Sequence, residues 1–139
     1  MQIITDVLAV STNGRTDIID ITPQVETHLR NSGLNDGSAL VFVPGSTAGI
    51  TTIEYEPGLL QDYPDFFDRI APANIRYSHD ETWHDGNGYS HVRAALQGAS
   101  FTVPFKDKQL LLGTWQQIIL VDFDNRPRNR KVIIQLSGV

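Results

Sequence analysis

The sequence predicts an α+β domain with a mainly antiparallel sheet. Strand-like apolar segments stand at both ends of the chain, helical patterns are inserted between them, and no repeat or low-complexity tract suggests a different architecture. At 139 residues the chain reads as a single domain spanning 1–139. Residues 2–10, with Ile4, Val7 and the run Leu8 to Val10, form the first strand; Ser11 to Gly14 signals a turn, and Asp17 to Ile21 a second short strand. The two together read as an opening hairpin. Thr22 and Pro23 pair as N-cap and first-turn residue, Val25 and Leu29 lie four apart, and Gly33 supplies the stop, so a short helix covers 23–32. His28 lies on that helix as a surface or boundary residue.

Ala39 to Val43, bounded by Gly37 and Pro44, reads as a buried strand. Ile50 to Glu56 is another, placing Thr51, Ile53 and Tyr55 on one face and Thr52, Glu54 and Glu56 on the other. Residues 58–70 have helical character, but Pro64 lacks an amide donor and is expected to split or restart the helix. After the histidine-rich segment 79–91, Ser90 to Leu96 forms a short helix ended by Gly98. Ser100 to Phe105, Trp115 to Phe123 and Lys131 to Leu136 are strands, with turns at Lys106 to Lys108 and Asp124 to Asn129.

Composition narrows the chemistry. Apolar residues at 40% and charged residues at 19% suit an ordinary globular core. With no cysteine, disulfides, thiol catalysis and Cys-ligated zinc are excluded, and a transition metal would rest on histidine, carboxylate or water. A net charge of −5 argues against general nucleic-acid binding, because a phosphate backbone demands a positive face. The first twelve residues lack the basic and apolar blocks of a secretory leader, and no stretch approaches a membrane span, so no membrane partner and a cytoplasmic location are expected.

The segment His79 to His91, HDETWHDGNGYSH, carries three of the four histidines together with Asp80, Glu81 and Asp85. Imidazole is the commonest metal ligand and the usual proton carrier near neutral pH, and a glycine-rich loop can turn several such groups toward one point. His79, His84 and His91 are therefore the candidate ligands of a divalent metal, zinc or magnesium, either all three or two of them with a carboxylate. The alternative is a solvated acidic loop that the histidines merely decorate. His91, in the first turn of the following helix, would be held neutral there.

Other groups have two readings each. Pro44 to Gly49, PGSTAG, offers amides and the Ser46 and Thr47 hydroxyls to an oxyanion, although glycine and serine there also serve a plain inter-strand loop. Glu54 and Glu56 form a carboxylate pair or simply face water. Gly113, Thr114, Trp115 and Gln116 make a turn that is either a core anchor or a pocket wall. Arg126, Arg128, Arg130 and Lys131 form a basic hairpin tip suited to phosphate oxygens, or a solvated turn offset by neighbours such as Asp122 and Asp124.

The segments PGSTAGITTIEYEPG at 44–58, His79-Asp80, Ser90-His91, GTWQ at 113–116 and the terminal SGV resemble the YjbQ-like family of small proteins, in the same order and over nearly the whole chain. The resemblance implies a sandwich-like α+β fold assembled as a compact homotrimer, with the site near subunit contacts. It also implies a weak thiamine-phosphate synthase activity, a transferase reaction joining a pyrimidine pyrophosphate to a thiazole phosphate. The matching positions are His79, His91, Glu54, Thr114, Trp115, Gln116 and Arg130; His84 rests on local chemistry alone. Gly45 and Tyr89 depart from the pattern, since family members place histidine at these points.

The expected function is thus metal-assisted chemistry on a small phosphorylated or pyrophosphorylated molecule, with His79, His84 and His91 on the metal. Ser46, Thr47 and Arg130 would hold phosphate, and Glu54, Thr114 and Gln116 would take catalytic roles, Glu54 as general base. A non-catalytic metal- or ligand-binding trimer is the competing expectation.

Overall fold

Strand pairing joins residues from opposite ends of the chain. In the computed structural model, which describes all 139 residues, β1 (Gln2–Thr12) runs antiparallel to β8 (Arg128–Gly138) over its full length. β8 pairs on its other side with β3 (Gly37–Phe42), β3 with β5 (Ser100–Lys106), and β5 with the two-residue β6 (Gln109–Leu110). A separate three-stranded sheet has β7 (Gln117–Asp122) at its centre, flanked by β2 (Asp17–Asp20) and β4 (Ala48–Ile53). Every pairing is antiparallel. Four helices complete a mixed α+β fold: α1 (Thr22–Ser32), α2 (Pro57–Ile70), α3 (Ser78–Trp83) and α4 (Gly88–Gln97).

β7 is apolar on both faces because both are covered. Ile118 and Leu120 join the main core with Val41, Ile134 and Leu136 of the larger sheet and Val25 and Leu29 of α1. Ile119, Val121 and Phe123 point the other way, to Phe67 of α2 and Ala94 of α4.

Five local expectations change. The opening hairpin does not form: β1 and β2 belong to different sheets, and the link between them crosses from one to the other. Gly14, Arg15 and Thr16 all take positive φ in that link, and a Cβ on Gly14 would stand 2.5 Å from the Arg126 carbonyl oxygen. The basic segment 124–129 is likewise no hairpin tip but the crossing from β7 to β8, and the Arg15 amide donates to the Asp124 carbonyl across the two crossings. Pro64 does not divide α2, which runs on through it. Burial of Phe67, with Tyr63 and Phe123 packed edge-on against it, holds the helix despite the missing amide.

Thr22 is the first residue of α1 rather than its cap. Its hydroxyl accepts from the Ile118 amide at 2.7 Å, while the Asp20 carboxylate takes the Thr22 amide at 3.0 Å. β4 ends at Ile53, so Glu54 and Glu56 are not a strand pair. Glu56 caps α2, accepting from the amides of Gly58 and Leu59.

Candidate functional site

Where β7 ends, Phe123 turns into the core and the flanking aspartates face the opposite way. Asp122 and Asp124 are both fully buried. Buried carboxylates are tolerable only when paired and hydrogen-bonded, and β8 supplies the partners. Arg130 binds Asp122 through two nitrogens, at 2.7 and 2.8 Å, and Arg128 binds Asp124 at 2.8 and 2.7 Å. Thr12 donates to Asp122. Thr47 donates to Asp124 at 3.1 Å and accepts from Arg130 at 2.7 Å. Burial alone would raise both carboxyl pKa values. For Asp122 the bonds from Arg130, Thr12 and the Asp124 amide outweigh it, and for Asp124 those from the Asn125 amide, Asn87, Arg128 and Thr47 do, so both lie below the ordinary carboxylate value.

Facing this network is the turn between α3 and α4. His84 ends α3 in a left-handed conformation, Gly86 turns the chain again, and the Gly88 amide then donates to Asp80 at 2.9 Å, tying the start of α4 to α3. A side chain at Gly88 would overlap the Tyr77 Cβ, which would be 2.5 Å away. This folding sets His79 Nδ1 at 3.6 Å from carboxylate oxygens of both Asp80 and Asp85, too far for a hydrogen bond, and leaves that nitrogen buried without a partner. Donor atoms of His79, Asp80 and Asp85 lie within 4.8 Å of one another. Such spacing lets one cation reach all three at roughly 2.0–2.6 Å.

His91 stacks beside this group, its ring 4.2 Å from that of His79. Its pKa is lowered first by burial and then by His79, with Asp85, Asp124 and Asp80 opposing, so the neutral form is favoured. Asn87 is buried between the two networks. Its Nδ2 donates to Asp124 at 3.3 Å, an orientation fixed because a carboxylate only accepts, and its Oδ1 has no donor.

Both networks border one open cleft of about 410 Å³. His79, Asp85, His91 and Trp83 line one side, and Gly45, Ser46, Arg128 and Arg130 the other. Arg130 Nη1 and Arg128 Nη1 take no part in the aspartate pairs. A Cβ on Gly45 would lie 3.1 Å from Arg130 Nη1, so glycine there keeps that nitrogen uncovered.

The expected residues divide accordingly. His79, His91, Ser46 and Arg130 meet at the cleft, whereas His84 is exposed and stands outside the His79, Asp80 and Asp85 group, leaving the set of three histidines unformed. Thr47 also borders the cleft, but its hydroxyl is engaged by Asp124 and Arg130, which corrects its place as a phosphate donor. Glu54, Thr114 and Gln116 do not reach the site. In the register of the smaller sheet Ile53 pairs with Gln117 while Ala48 pairs with Asp122, so these three stand at the far end of β7, about 17 Å away at ~3.3 Å per residue. Gln116 braces its own turn, accepting from Gly113 and donating to Thr52. Tyr89 is buried with Arg93 over its ring at 5.0 Å, a packing role. Asn87 and Trp83 were not among the expected residues; in the run Asp85-Gly86-Asn87-Gly88 an asparagine reads as an ordinary turn residue.

The model of the UPF0047 protein YjbQ-like family matches residues 6–139. A UPF0047 protein of Methanocaldococcus jannaschii is 37% identical over 130 residues, covering 93% of this chain and 91% of that protein. The UPF0047 protein YugU of Bacillus subtilis is 37% identical over 133 residues, covering 94% and 97%. Among solved structures, a YbjQ-like protein of unknown function from Sulfolobus solfataricus P2 superposes with a TM-score of 0.93 at 32% identity, covering 99% of each chain. An uncharacterized conserved protein of Clostridium acetobutylicum, of the same family, gives 0.87 at 36% identity, covering 95% and 99%. The chain therefore belongs to the UPF0047, YjbQ-like family.

Proposed function

We propose that the cleft holds a divalent cation, zinc or magnesium, on His79, Asp80 and Asp85, and receives a small phosphorylated or pyrophosphorylated molecule between that position and Arg128 and Arg130. The carrying observation is the convergence of three ligand residues within 4.8 Å, one of them His79 with its buried, unpartnered Nδ1. A bound cation there would neutralise charge on a departing pyrophosphate, the chemistry that a thiamine-phosphate synthase-like transfer needs. On the opposite wall the free Nη1 groups of Arg128 and Arg130 and the Ser46 hydroxyl hold substrate oxygens, while Thr47 and Asp122 keep Arg130 in place. His91, favoured in its neutral form, is the proton acceptor within reach of that space.

A non-catalytic metal- or ligand-binding protein is the second reading, favoured by the distance of Glu54, Thr114 and Gln116 from the cleft. Stacking of the two sheets in a sandwich-like manner, closure as a homotrimer and a cytoplasmic location belong to the same proposal. The shared core of the two sheets supports the first, and no helix is long and apolar enough to cross a membrane.

Metal analysis of protein purified without a histidine tag tests the site. One equivalent of divalent metal is expected, lost in His79→Ala and retained in His84→Ala. Equal loss in both variants, or none in His79→Ala, overturns the ligand set. Coupling of the pyrimidine and thiazole phosphates then separates the readings, since a binding protein shows metal without turnover.

A further inference from the structure

We infer that phosphate binding in the cleft is strengthened by a divalent cation in the His79, Asp80 and Asp85 corner, the two ligands binding cooperatively. The inference rests on the proposed cation site and assigns it a second role, control of what the arginine wall binds.

An anion site built on two arginines ordinarily uses their charge. Here that charge is already matched. Arg130 is joined to Asp122 and Arg128 to Asp124, and both aspartates are fully buried and held ionised by their hydrogen bonds. Asp80 and Asp85 have no arginine or lysine partner. Four carboxylates therefore stand against two guanidiniums, leaving the surroundings of the cleft with two uncompensated negative charges, counted without the imidazoles. A phosphate dianion approaching this surface meets like charge. The Thr47 hydroxyl, committed to Asp124 and Arg130, offers it no hydrogen bond.

A second observation carries the same sign. Asn87 is 5% exposed and borders the cleft, and Asp124 fixes its amide so that Oδ1, an acceptor, has no donor in the protein. What the cleft lacks is positive charge, and Asn87 adds an acceptor without a donor. A divalent cation cancels the two excess charges and turns the Arg128 and Arg130 donors into productive phosphate contacts. Linkage then makes the dependence mutual, because an effector that tightens phosphate is itself tightened by phosphate by the same factor.

The experiment titrates inorganic phosphate calorimetrically into two forms of the full chain at pH 8 and fixed ionic strength, one stripped by chelator and desalted, the other loaded with one equivalent of Mn²⁺. Phosphate is expected to bind the loaded form at least tenfold more tightly, and phosphate should tighten Mn²⁺ by the same factor. Asp85→Asn, in an exposed turn, supplies a readout independent of loading: it should weaken Mn²⁺ and strengthen phosphate binding to the stripped protein. Equal phosphate affinity of the two wild-type forms, or no gain in stripped Asp85→Asn, overturns the cooperative binding while leaving the cation site standing. Failure of the wild-type chain to bind Mn²⁺ or Zn²⁺ removes the cation site and this inference together.

Discussion

Arg130 shows why a residue's charge does not announce its role. In sequence it reads as a phosphate ligand on a basic turn, whereas its guanidinium spends most of its donors on Asp122 and Thr47. Arg130→Ala would leave a fully buried carboxylate unpaired, and we expect it to destabilise the fold by about 3–5 kcal/mol in urea unfolding. The paired replacement Arg130→Met with Asp122→Leu should recover most of that loss, because it removes both charges together. Loss of phosphate binding in Arg130→Ala with unchanged stability would contradict this assignment.

The same pair sets a pH dependence. Asp122 and Asp124 have pKa values below the unfolded value near 3.9, so the unfolded chain takes up protons first as pH falls. Their stabilisation is present in full above that value and is lost as pH drops through the depressed folded values. Stability should therefore decline below about pH 4, and more shallowly in the Met–Leu double variant.

At the scale of elements, what could be foreseen were segments whose identity is local. The strands and the stops at Gly33 and Gly98 follow from apolar periodicity and glycine punctuation, and all recur in the structure within a few residues. Pairing was not legible. A turn signal at Ser11 to Gly14 does not tell whether the next strand folds back on β1 or crosses to another sheet, since that depends on β7 and β8, more than a hundred residues away. The candidate site was half legible for the same reason. His79, Asp80, Asp85 and His91 stand close in sequence, but their approach to Ser46 and Arg130 exists only through the sheet crossings. Glu56 illustrates the opposite error, a carboxylate with catalytic promise that serves as a helix cap. Glu56→Ala should cost α2 about 1 kcal/mol in urea unfolding and leave metal content unchanged; a fall in metal content would assign it to the site after all.

For the whole molecule, the outer face of the larger sheet decides the state of assembly. Its inner face lies against α1 and the smaller sheet, as the shared core requires. Along the outer face, Val7, Ile133 and Phe42 stand in register across β1, β8 and β3, and Thr5, Gln135 and Leu40 form the neighbouring row. Ile3 and Val7 are 67% and 58% exposed, and the alternation of burial leaves Lys131 and Lys106 as the charged residues of that face. Exposed Ile3 and Val7 beside the Ile133 and Phe42 positions, on a sheet face with so few charges, suit a partner surface. Three copies closing in a ring would cover it, as the family resemblance implies. Light scattering at micromolar concentration should give about three times the 15.5 kDa chain mass. Val7→Lys places a charge at the β1 end of that row on a side chain that is 58% exposed, so it should yield folded monomer with unchanged circular dichroism. A wild-type chain that is monomeric under these conditions, or a Val7→Lys variant that still assembles, would assign the sheet face to some other contact.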